Sequence, residues 1–187
     1  MKPRPLAHLN RDELVRVGHE YMMLGHLIDR ALMPQLMIHA GSDAMEPVAI
    51  EEWMGASPVY TARMRSLMGI GGDGVSAIVK SLQLDVGFAH QYMDVHYRVD
   101  DEEHAEFWLD HCGALLDAEP GGSEFVLMMC HHIEDPTFDA TACATNPRAR
   151  IRSVHRPPRE PADRVPHCHW TITIDPEAEP LAAPDAS

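Results

Sequence analysis

No apolar run in this chain approaches the roughly 20 residues that a membrane helix needs. Its start, Met-Lys-Pro-Arg-Pro-Leu-Ala-His, lacks the apolar core of a signal peptide. Cations are scarce: 15 Lys and Arg stand against 29 Asp and Glu, a formal charge of −14. That balance excludes nucleic acid as an expected partner, because phosphate binding needs a basic surplus. Neither a CxxC nor an HExxH motif occurs, so no compact metal or redox signature is present. No internal repeat is present either. Four cysteines in a chain of 187 residues need not staple the fold. They are read as reduced thiols in a soluble, cytoplasmic protein.

What is abundant is histidine, thirteen in all. His104, His111-Cys112, Cys130-His131-His132, His155 and His167-Cys168-His169 follow one another within 66 positions. Imidazole and thiolate bind borderline transition metals at neutral pH, and imidazole is the usual proton shuttle. Arginine is concentrated too, with Arg148, Arg150, Arg152, Arg156, Arg159 and Arg164 close together. An anionic small molecule therefore remains compatible with the acidic total.

The first half has helical spacing. Asn10 to Glu13 forms a capping-box pattern, and Leu14, Val17, Tyr21, Leu24, Ile28 and Leu32 recur as one stripe until Met33-Pro34. Ser57-Pro58 predicts a short helix to about Met68. Gly69 to Gly74 reads as a turn, with Asp73 capping a helix that runs to about Met93. A dinucleotide loop is disfavoured, because a helix rather than a strand precedes those glycines.

Near Asp94 the period changes to two. Val95 to Val99 and Phe107 to His111 predict a hairpin around the polar turn Asp100 to Glu103. The competing reading is a helix from Asp101 to Leu116. The continuous apolar run Glu124 to Ile133 predicts a strand, and Asp135-Pro136 a short helix ending before Asn146. Arg148 to His155 alternates around Ile151, which places His155 toward the apolar side. Pro157 to Pro166 is a stiff loop. His167 to Asp175 is a strand with Cys168, Trp170, Ile172 and Ile174 on one face. Residues 176–187 form an acidic Pro/Ala-rich tail, expected to be disordered. Together these predict one α+β domain over 1–175, an N-terminal helical layer on a mostly antiparallel C-terminal sheet.

Tyr97, His111-Cys112-Gly113, Cys130, Glu134 and Pro136, in that order between Gly74 and Asp175, resemble the L-2-amino-thiazoline-4-carboxylate hydrolase group and related vinyl-reductase-type small-molecule-binding domains. The resemblance implies an α+β pocket for a small ligand with a functional cysteine, either catalytic or metal-binding. His167-Cys-His169-Trp and the segment from His155 to Pro158 depart from that pattern.

The sequence reading is an enzyme with a small-molecule pocket between helices and sheet. Its expected substrate is an anionic organic molecule, and its chemistry is hydrolytic or related. His111, His167 and His169 are the candidate ligands of a transition metal, zinc or iron, which would activate water or polarise a carbonyl. Cys130, His132 and His155 are the candidate catalytic groups, and Arg156 and Arg159 the substrate clamp. One alternative is metal-free hydrolysis by Cys130 or Cys112 beside a histidine. Another is a non-catalytic sensor of a metal or ligand. Assembly into a homo-oligomer is left open.

Overall fold

A computed structural model describes residues 6–182. The first five residues, part of the stretch read against a signal peptide, and the last five of the tail lie outside the described residues. Helix α1 (Arg11–Ala40) opens on the expected capping box. Asn10 Oδ1 accepts from the Glu13 N–H at 3.0 Å, and Glu13 Oε2 accepts from the Asn10 N–H at 2.8 Å. The helix does not stop at Pro34 but continues through it. Likewise α2 (Ser42–Met68) contains Pro47 and Pro58, so Ser57-Pro58 lies inside a helix rather than opening one. Proline removes one ladder hydrogen bond and bends a helix, yet need not end one held by its neighbours. Here α1 lies against α2. None of the described helices is long and apolar enough to cross a membrane.

The stripe that signals α1 in the sequence is not its core face. Leu14, Tyr21, Leu24 and Ile28 are exposed, whereas His26, Asp29 and Met33 turn inward to a cavity. Periodicity shows that a helix has an apolar side but not what covers that side.

Gly69 closes α2 at φ 65°, a left-handed conformation that glycine adopts at little cost. Helix α3 (Val75–Leu82) starts at Gly74 with no side-chain cap, so Asp73 does not serve as one. It also ends well before Met93. The Asp85 carboxylate accepts from the Gly87 N–H at 2.7 Å and starts a separate 3-10 turn at Val86–Phe88. Strands β1 (Met93–Val99) and β2 (His104–Cys112) then form the expected antiparallel hairpin.

After β2 the chain turns helical again: α4 (Gly113–Ala118), α5 (Ser123–Leu127), a π turn at Met128–Ile133, and α6 (Glu134–Cys143). The strand expected over Glu124 to Ile133 is thus a helix. A short continuous apolar run has no period to separate the two, and Leu127, Met128 and Met129 are good helix formers. Asp135 is then inside the first turn of α6 instead of capping it. Strands β3 (Ala149–His155) and β4 (Cys168–Ile174) complete a four-stranded sheet of order β1-β2-β4-β3, antiparallel throughout. The arrangement is α+β, with helices first and an antiparallel sheet after.

One sheet face carries Phe107, Ile151, Trp170 and Ile172, all fully buried, against Val75, Ile78 and Leu82 of α3. Each such side chain contributes about 1.5–3 kcal/mol by leaving water. Phe138 of α6 meets Trp170 edge-on at 4.8 Å between ring centroids and fixes α6 to this face. The described part of the tail is tied down rather than loose. Leu181 N–H donates to the Pro147 carbonyl at 2.8 Å, and Arg150 Nη2 donates to the Glu179 carbonyl at 2.7 Å.

Candidate functional site

A cavity of about 190 Å³ lies among α1, α2, the run from α5 to α6 and the sheet. Its wall is mostly apolar, with Met33, Leu82, Phe88, Met93, Phe125 and Phe138 contributing. Beside Ser57, Thr137 and Thr141, the ionisable groups fall into two sets. One consists of Cys112, Cys130, Cys168 and Glu134, and the other of His26, Asp29 and Asp85.

The first set is delivered by four different pieces of chain. Cys112 ends β2, Cys130 sits in the π turn, Glu134 begins α6 and Cys168 begins β4. The π turn is itself notable, since such turns gather at functional sites. All three cysteines are buried free thiols. Burial pushes Cys112 up to about 12 and raises Cys130 and Cys168 as well. The Glu134 carboxylate raises all three further, and Cys130 feels both other thiols. Glu134 keeps part of its surface open to the cavity and is otherwise enclosed by protein, which pushes its carboxyl up to about 8. At neutral pH this end of the cavity is therefore protonated and uncharged.

The second set surrounds Trp53 and Gly87. Asp29 takes a hydrogen bond from the Trp53 side chain, and burial with the charge of Glu52 pushes it up to about 6. Asp85 is enclosed and is also pushed up to about 6 by burial. His26 is lowered by burial, so its imidazole is neutral, and its Nε2 has no hydrogen-bond partner.

The histidines flagged by the sequence lie elsewhere. His167 precedes β4 and is buried beside His111, with ring centroids 5.7 Å apart. Its Nδ1 accepts from the Cys112 N–H at 3.1 Å, and its Nε2 lies 3.2 Å from Arg159. His169 projects from the sheet face opposite Cys168 and Trp170, where Nε2 meets Glu106 at 2.9 Å and Trp108 packs edge-on. His167 and His169 thus share no partner. A bulge between Ser153 and His155 carries His155 to the His169 side, not the apolar side expected from alternation. Its Nε2 contacts the Pro166 carbonyl at 3.0 Å.

His132 is exposed and paired with Glu46 at 3.0 Å, while His131 Nε2 contacts the Pro157 carbonyl at 2.6 Å. Neither imidazole is therefore turned to the Cys130 thiol. Arg156 pairs with Asp135 and lies over Trp170. Arg159 pairs with Glu119 at 2.7 Å. Both arginines already have a carboxylate. Of the sequence candidates for catalysis, metal and substrate, only Cys130 and the alternative thiol Cys112 line the cavity.

Among the described residues, two groups bring three ligand atoms within 4.8 Å of one another, and both are on the open side of the sheet. One is Asp100, His104 and Glu106, and the other Asp94, His96 and Asp110. In the second, His96 stacks on Trp108, and its Nε2 is 3.3 Å from each carboxylate without hydrogen-bond alignment. The cavity set is not gathered so tightly. No protein-family model, curated protein or solved structure matches this chain.

Proposed function

We propose that the protein is a metal-dependent enzyme that transforms a small organic molecule inside the apolar cavity. Hydrolytic chemistry is the favoured class. The observation that carries this reading is the convergence of Cys112, Cys130, Cys168 and Glu134 on one cavity wall. Thiolate and carboxylate donors suit zinc or iron, and a bound dication offsets the cost of ionising groups that burial holds neutral. The donor set fits such an ion better than His111, His167 and His169, whose second and third members are engaged by different partners.

When bound, a metal of this kind activates water or polarises a carbonyl. The chain itself supplies the rest. Cys112, Cys130 and Cys168 would hold the ion, giving up their protons to do so. Glu134 would be the fourth donor or, where it does not bind the ion, a carboxylate able to take a proton at its oxygen near neutral pH. Phe125 and Phe138 exclude water from the apolar body of the substrate.

Metal-free catalysis by Cys130 is less well supported. A nucleophilic thiol must ionise, yet burial raises Cys130 and no histidine is placed on it. A sensor that reports the ligand through α1 and α2 uses the same cavity and differs in showing binding without turnover.

The test is a zinc titration of chelator-treated protein, read by proton release and by alkylation of the thiols. One equivalent should release protons and protect Cys112, Cys130 and Cys168 while leaving the labelling of Cys143 unchanged. Absence of protection, or protection that vanishes with His167→Ala and His169→Ala, would count against this reading.

A further inference from the structure

The second polar set has a chemistry that the thiols do not use. Asp29, Asp85 and His26 line the cavity, and among the described residues no Lys or Arg does. They are neighbours. The Gly87 N–H donates to Asp85, the Gly87 and Val86 carbonyls engage His26, and the Trp53 side chain bonds Asp29. A Cβ on Gly87 would sit 3.1 Å from Asp85 Oδ1 and 4.0 Å from Trp53, so glycine keeps this corner open.

The surrounding charges do not neutralise it. Arg30, which acts on His26, is half-exposed and paired with Asp117 at 3.2 Å. Glu52 adds a further carboxylate beside Asp29, with Oε2 buried and unpartnered. Tyr60 donates to the Leu84 carbonyl, and the Tyr97 hydroxyl, which also feels Asp85, has no partner. The corner thus offers two carboxyl groups, backed by an apolar wall.

We propose that this corner binds the protonated amine of a small, otherwise apolar molecule, with Asp29 and Asp85 as counter-charges. An ammonium carries three N–H donors and a full charge, which carboxylates satisfy. Its burial is tolerable only when paired, and pairing is stronger in an enclosed site than in water. An anion would instead face Asp29 and Asp85 with no Lys or Arg among the described lining residues to offset them. The amine replaces the anionic substrate expected from the arginine-rich stretch, whose Arg156 and Arg159 are paired outside the cavity. This inference rests on the proposed function only in taking the cavity as the substrate site.

Hexylamine, hexan-1-ol and hexanoate, titrated calorimetrically into the full chain at about pH 7.5, separate the alternatives. The amine should bind at least about tenfold tighter than the alcohol, and hexanoate weakest. Asp29→Asn and Asp85→Asn should each remove roughly tenfold from amine affinity and leave alcohol affinity within about twofold. The Asp85→Asn change retains a side-chain oxygen able to accept from the Gly87 N–H, and thermal melting checks each fold. Amine affinity should also fall as pH drops through about 6, where both carboxyls take up protons.

An amine no tighter than the alcohol, a tighter hexanoate, or no binding by any probe overturns the proposal. Titrations before and after chelation keep the two readings apart. Amine preference in a protein that binds no metal sinks the metal centre alone. Metal held by the cysteines without amine preference sinks the amine site alone.

Discussion

Cys130 and Glu134 stand one helical turn apart, with the widened π ladder between them, and both side chains line the same cavity. In a regular helix such a spacing already shares a face. Here it places a buried thiol beside an enclosed carboxyl, and the charge of Glu134 makes the Cys130 thiol harder to ionise.

Enclosure of that carboxyl makes the metal-free protein sensitive to alkali. Glu134 is held near 8 in the fold against an ordinary value of 4.5. Its contribution to stability is therefore complete below about 4.5 and is lost as pH rises through about 8. His26 and His167 are both lowered, so they act in the opposite sense, losing stability as pH falls below 6.5. Above pH 7 the four buried thiols, all raised, lose stability in the same sense as Glu134, so the Glu134 share is the difference from a variant without that carboxyl. Urea unfolding between pH 7 and 8.5 should show a loss about 1 kcal/mol larger than in Glu134→Gln. An equal loss in both proteins would assign the effect to another group.

Gly113 is fixed by close approach. A Cβ there would lie 2.2 Å from the Tyr92 ring, and the Gly113 N–H donates to the Tyr92 carbonyl at 3.0 Å. Gly113→Ala must push Tyr92 aside or shift the start of α4, next to Cys112. A destabilisation of about 1–3 kcal/mol is expected from such overpacking. Chemical denaturation measures it, and a change below about 0.5 kcal/mol would mean Tyr92 rotates freely away.

The tail contributes through a few exposed contacts. Removing residues 177–187 deletes the Leu181 bond to Pro147, the Arg150 bond to Glu179 and the Arg148 bond to Ala178. Exposed hydrogen bonds are individually small, so the total loss should be about 1 kcal/mol. A loss above about 3 kcal/mol in thermal melting would require burial that these contacts do not provide.

The hairpin of β1 and β2 and the strand β4 are legible in the sequence because alternation marks a strand with one buried face. The helix through Cys130 is not, because its apolar run has no period. Histidines attract notice by number, yet His155 and His169 lie on the open face of the sheet, and His132 faces Glu46 on the surface. Cys168 is readable as a residue of the apolar face, but not as one of three thiols on a cavity. The corner formed by His26, Asp29 and Asp85 unites a long helix with a distant turn, so only tertiary structure reveals it.

Metal content tests the central claim most directly, measured by mass spectrometry on protein purified without a histidine tag. The account predicts about one zinc or iron per chain. Cys112→Ser, Cys130→Ser and Cys168→Ser should each lose it, and His111→Ala, His167→Ala and His169→Ala should keep it. A folded wild-type chain that neither carries nor takes up metal, or a metal lost with the histidines and kept without the cysteines, would contradict it.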